Sequence, residues 1–133
     1  MRLHRDDTGM VGKIIVIWLL MVAILGVAVV DAASIAFATF RVSDIAATAA
    51  TAAATTYRAS RDVGTACDNA RSSIEADDAK IQIPKSFCKI DSQTGRVTIV
   101  VKDQATTILA GRLSFTEDLT KVVGKETAGP SAL

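Results

Sequence analysis

Residues 14–30 read IIVIWLLMVAILGVAVV, an uncharged run closed by Lys13 on one side and Asp31 on the other. As a helix rising about 1.5 Å per residue, the run covers roughly 26 Å, the short end of what spans a bilayer. The next stretch, AASIAFATF (32–40), is apolar enough to lengthen the span by a turn or two. A chain of 133 residues builds no soluble core large enough to surround so uniform a helix. A membrane segment is therefore the first expectation.

The competing reading is a cleaved signal peptide. Arg2, Arg5 and Lys13 form a basic n-region, and Val30, Asp31 and Ala32 loosely resemble a small-residue cleavage site. Against it, the apolar run exceeds a usual h-region, and no Gly or Pro interrupts the chain between Val27 and Val63. The bases precede the span, and only Arg41 lies close after it, so the positive-inside rule keeps residues 1–13 as a cytoplasmic tail. The expected localisation is the cell membrane, single-pass, with everything beyond Asp31 extracytoplasmic. His4, the sole histidine, falls in the inside tail.

Outward from the span, residues 41–60 read RVSDIAATAATAAATTYRAS. Alanine is the best helix former, so one helix is expected from about Lys13 to about Ser60, roughly 70 Å long. Ala28, Ala32 and Ala36 repeat every four residues, as do Ala46, Ala50 and Ala54. Small residues at this spacing let a second helix approach closely. Ile35, Val42 and Ala49 follow at sevens beside Ile45 and Ala52, like a narrow coiled-coil seam. Thr48, Thr51 and Thr55 make a polar stripe able to hydrogen-bond across a contact. The favoured reading is a rod that packs against copies of itself or relatives. Its rivals are plain helix propensity and a helix laid on its own sheet.

After Ser60 the composition turns mixed and charged. Cys67 and Cys88, the only cysteines, lie on the exported side, where two thiols usually pair. Closing that loop is worth roughly 3 kcal/mol in the chain-entropy model, substantial for so small a domain. Residues 68–78 predict a short helix, and Ile81 and Ile83 a brief edge strand before Pro84. The clearest β signal is FCKIDSQTGRVTIVV, with strands at 87–90 and 96–101 around a turn containing Gly95. Residues 106–113 have helical spacing, 119–123 read as another strand, and the tail KETAGPSAL predicts no ordered structure. The fold expectation is α+β: a transmembrane and extended helix over 14–60, then a small disulfide-linked ectodomain over 61–133. That ectodomain holds a short antiparallel sheet laid against the emerging helix, with one or two short helices.

Half the residues are hydrophobic, only 5% are aromatic, and the net charge is +1 with both signs interspersed, which gives no reason to expect nucleic acid. There is no exported histidine, no CxxC and no glycine-rich phosphate loop. The close acid pairs Asp6 and Asp7, Asp77 and Asp78, and Glu117 and Asp118 are sequence neighbours that read as solvated charge. No catalytic residue, metal site, cofactor or small-molecule substrate is therefore expected.

The order of these features resembles the TadE/TadG-like proteins of tight-adherence pilus systems. The residues that carry the likeness are Asp7, Thr8 and Gly9 before the helix, Val30 and Asp31 at its end, and VSDIAATAATAAA from Val42. It covers roughly residues 5–60; beyond them only the outline of a valine-rich strand, a short helix and a final strand is similar. The resemblance implies a membrane-anchored, pseudopilin-like assembly protein whose partners are other pilin-like or secretion-platform proteins. It also offers Gly9 and Met10 as a leader-cleavage site. The fifth residue after such a cut is Ile14, where pilins usually carry Glu, which favours the retained form over a filament subunit. The second function class is a single-pass accessory subunit or envelope-binding module of another membrane complex.

Overall fold

The computed structural model describes residues 7–129. Arg2, His4 and Arg5 of the expected inside tail, and residues 130–133, lie outside them. The aliphatic run and the alanine segment form one helix, α1 (Asp7–Ser60), whose 54 residues rise through about 80 Å. Its amino-terminal half is long and apolar enough to cross a membrane. From 9 to 30 every residue is exposed except the half-buried Val27. Burial begins at Asp31 and becomes continuous from Val42 onward at three- and four-residue spacing. One helix thus carries two surfaces, aliphatic and bare below, small-residue and covered above.

Helix α1 ends at Arg61, a non-glycine residue in the left-handed region (φ 56°) whose N–H donates to the Tyr57 carbonyl at 2.8 Å. Its guanidinium lies 5.9 Å over the Tyr57 ring, a contact glycine could not make. Asp62 then caps α2 (Val63–Asp77), accepting from the Gly64 and Thr65 N–H groups. With two linking residues, α2 folds back along α1. Asn69 donates to Thr56, and Asp78, just past the end of α2, pairs with Arg41 at 2.5 Å. The face Ala66, Ala70 and Ile74 is buried against the alanines of α1.

Three antiparallel strands follow in the order β1 (Cys88–Ile90), β2 (Val97–Gln104) and β3 (Lys121–Ala128). Strand β2 alternates as its valines predict, with Val97, Ile99 and Val101 facing the helices. The β1–β2 turn closes through Asp91 and the left-handed Gly95 (φ 73°), whose N–H reaches the Asp91 carbonyl at 2.7 Å. On β3, Val122 and Gly124 face inward, and a Cβ at Gly124 would lie 2.5 Å from the Val42 carbonyl oxygen. Glycine here lets the strand backbone touch the helix backbone.

Three expectations change. Residues 106–113 form bends and turns, not a helix: Asp31 takes the N–H groups of Ile108, Leu109 and Ala110, and Arg112 and Leu113 both turn back to the Leu109 carbonyl. Lys125–Ala128 of the supposedly unstructured tail pair with 97–100, extending β3 well past Val123. Around Ile81 and Ile83 there is no edge strand, only a single bridge from Gln82 to Lys102. The α+β class and the antiparallel sheet laid on the emerging helix stand as read.

Candidate functional site

Order along α1 decides which residues lie beside its apolar half. The β1–β2 turn sits at the far end, where Gln93, Thr94 and Gly95 line a shallow cleft with Ala54, Tyr57, Arg58 and Arg61. Strand β2 runs back toward the apolar half, ending where Asp103 to Thr106 border Ser34, Phe37, Ala38 and Arg41. The connection 105–120 therefore lies beside the last turn of the apolar run, and β3 climbs away again.

That connection is fastened by Asp31. Only 5% exposed, its carboxylate accepts three backbone N–H bonds, from Ile108 at 2.6 Å, Leu109 at 2.9 Å and Ala110 at 2.8 Å. Removed from water at the end of an aliphatic helix, it takes its solvation from a loop nearly eighty positions later in the chain. In the sequence Asp31 reads as the charge that closes the span, as part of a cleavage-like triplet and as one carrier of the family likeness. Its partners are backbone groups, and no side-chain pattern announces them.

The two alanine rows have different fates. Ala28, Ala32 and Ala36 are exposed along α1 and free to meet another helix. Ala46, Ala50 and Ala54 are instead buried inside the chain's own core. The expected coiled-coil seam is likewise occupied, since Val42, Ile45 and Ala49 are core residues and Ile35 packs against them. Of the two alanine rows only the lower is open. The upper row gives the close approach that small residues permit to α2 and the sheet. Thr48, Thr51 and Thr55 are exposed beside α2 in an open groove that includes Thr56 and Asn69. The hydroxyls of Thr51 and Thr55 donate to carbonyls four residues back, so across a contact they act as acceptors only.

Cys67 and Cys88 form a disulfide, their Cα atoms 5.9 Å apart, which ties α2 to the first strand. Beside it Arg71 lies 5.0 Å over the ring of the buried Phe87. Ser43 on α1 bonds to Glu126 on β3, a second polar tie between helix and sheet. The Thr65 hydroxyl, helped by the N–H groups of Thr65 and Gly64, lowers the pKa of Asp62. The Gln93 N–H and the Thr94 side chain do the same for Asp91. At the foot of β3, Asp118 raises the pKa of Lys121 through a 3.1 Å hydrogen bond. These charges brace caps and turns, and none lines a deep cleft.

Gly9 and Met10 are exposed and helical within α1. Among the described residues, no three His, Cys, Asp or Glu side chains cluster as metal ligands. What the geometry offers is surface for packing. No protein-family model matches the chain, and no curated protein or solved structure matches it.

Proposed function

We propose that this chain is a single-pass, membrane-anchored structural or assembly component of a pilus-like surface system, with its amino terminus inside and its α+β domain outside. It is non-enzymatic and works by helix packing. The observation that carries the reading is the division of α1: a bare aliphatic half long enough to span a bilayer runs without a break into the spine of a folded domain. An unbroken helix transmits any lateral contact made in the membrane to the domain above it. The exposed row Ala28, Ala32 and Ala36 supplies such a contact surface, where lipid gives helices no hydrophobic reason to associate. The pilus assignment is supported by the TadE/TadG-like order of features over residues 5–60, and the mismatch at Ile14 favours retention in the membrane.

Photo-crosslinking in native membranes tests this. With a photoreactive residue at Ala32, the expected products are a self-dimer and adducts with pilin-like or secretion-platform proteins. Adducts confined to an unrelated membrane complex would remove the pilus role and establish the accessory-subunit class. Full extraction of the chain by alkaline carbonate would remove the anchor itself.

A further inference from the structure

The loop 105–120 turns most of its large apolar side chains outward. Much of its backbone is bonded within the fold: Asp31 takes three N–H bonds, the Thr107 hydroxyl accepts from Gly111, and the Thr116 hydroxyl donates to Ala110. Arg112, Leu113, Thr116, Glu117 and Leu119 each donate a backbone N–H to a carbonyl of the same loop. Its large apolar side chains face outward, with Phe115 80%, Leu119 62% and Ile108 52% exposed and Leu109 and Leu113 also uncovered, alongside the exposed Arg112, Glu117 and Asp118. A surface loop in water ordinarily shows the opposite arrangement. Exposed apolar side chains interspersed with charged ones suit the boundary between headgroups and acyl chains, where both kinds of group find their solvent.

Position points the same way. Asp31 ends the aliphatic run and holds the loop at that level, and Val27, one turn below, is the single residue of 9–30 that is half-buried. The exposed cluster is thus continuous with the bare aliphatic surface of α1. Arg112, the one base within the loop, is exposed, and its long stem can carry the guanidinium to lipid phosphates.

We propose that residues 108–119 form a foot that rests in the outer leaflet of the bilayer the anchor crosses. Phe115, Leu119 and Ile108 enter the boundary between headgroups and acyl chains, and Arg112 meets the phosphates. The occupant of this surface is lipid. The foot gives the domain a second point of membrane attachment and restrains its tilt and rotation about α1. Asp31 is the positioning residue that keeps the foot at the bilayer surface.

The inference rests on the anchored reading above, and the experiment separates the two. The full chain, its native cysteines held in their disulfide, takes a third cysteine as Phe115→Cys or, for comparison, Gln93→Cys at the distal turn. Each is labelled with an environment-sensitive fluorophore and reconstituted into vesicles of phosphatidylethanolamine and phosphatidylglycerol. The label at position 115 should be severalfold brighter than that at 93, quenched by lipids bearing a nitroxide near the headgroup, and protected from iodide. Asp31→Asn should restore iodide access at 115 while Trp18, inside the span, stays quenched by deep nitroxide lipids. If Trp18 is lipid-quenched but the label at 115 meets iodide as freely as the one at 93, the foot is refuted and the anchor stands. Protection at 115 in native membranes but not in pure lipid overturns the proposal in favour of a protein partner. If Trp18 escapes lipid quenching, the anchor fails and the foot with it.

Discussion

Replacing Gly124 with Ala places one methyl group where β3 meets α1. The new Cβ would sit 2.5 Å from the Val42 carbonyl oxygen, 2.6 Å from its Cγ1 and 2.7 Å from its carbonyl carbon. Ordinary contact begins near 3.4 Å, so the strand must retreat by about 0.9 Å or the helix must bend. Two of the three obstacles are helix backbone, which no rotamer change moves aside. Overpacking of this kind costs about 1–3 kcal/mol, here toward the upper end. Loss of glycine's freedom in the unfolded chain offsets about 0.4–1 kcal/mol. The net destabilisation is about 2 kcal/mol, which for a domain of about a hundred residues lowers the melting temperature by about 8–16 °C. Calorimetry of the detergent-solubilised full chain reads this directly. Gly64→Ala is the control: its Cβ meets only Asp62 oxygens at 3.7 Å, and alanine is the better helix former, so melting should hold or rise. If Gly124→Ala melts with the parent, β3 does not lie on α1 and the placement of the whole sheet is wrong.

Three further outcomes are expected. Cys67→Ser or Cys88→Ser should cost about 3 kcal/mol in denaturant unfolding, and maleimide should label neither native cysteine until reductant is added; full labelling without it would exclude the disulfide. Leucine at Ala46, Ala50 and Ala54 should unfold the domain, each site overpacked by about 1–3 kcal/mol, whereas leucine at Ala28, Ala32 and Ala36 should leave melting unchanged and reduce crosslinking in the membrane. Asp62 and Asp91 have folded pKa values below the ordinary carboxylate value near 4, so their contribution is present above about pH 4 and lost as pH falls through the folded values. Melting temperature should thus be level from about pH 7 to 5 and fall below about 4, with a shallower acid limb in Asp62→Asn/Asp91→Asn; an identical limb in that double variant would count against both caps.

The sequence by itself determined what is encoded locally. An uncharged aliphatic run, followed by a stretch with no Gly or Pro from Val27 to Val63, is a helix in any context that satisfies its backbone. Alternating valines after Gly95 are a strand, and two lone cysteines beyond the apolar run read as a bridge. Tertiary structure decided which way surfaces face. Alanine occurs on every side of α1, so its periodicity named two equivalent rows, and only the folded sheet and α2 show that Ala46, Ala50 and Ala54 are inside while Ala28, Ala32 and Ala36 are not. The same holds for 106–113, whose helical spacing lost to Asp31. That stretch is instead drawn around the buried carboxylate that gathers the N–H groups of Ile108, Leu109 and Ala110, and that carboxylate lies too far away in sequence for any local pattern to include it. Lys125–Ala128 is polar and unremarkable as a string, and it becomes a strand because β2 offers an unpaired edge alongside. Long-range backbone pairing leaves no periodic trace in the side chains that flank it, which is why the site at Asp31 appears only in the fold.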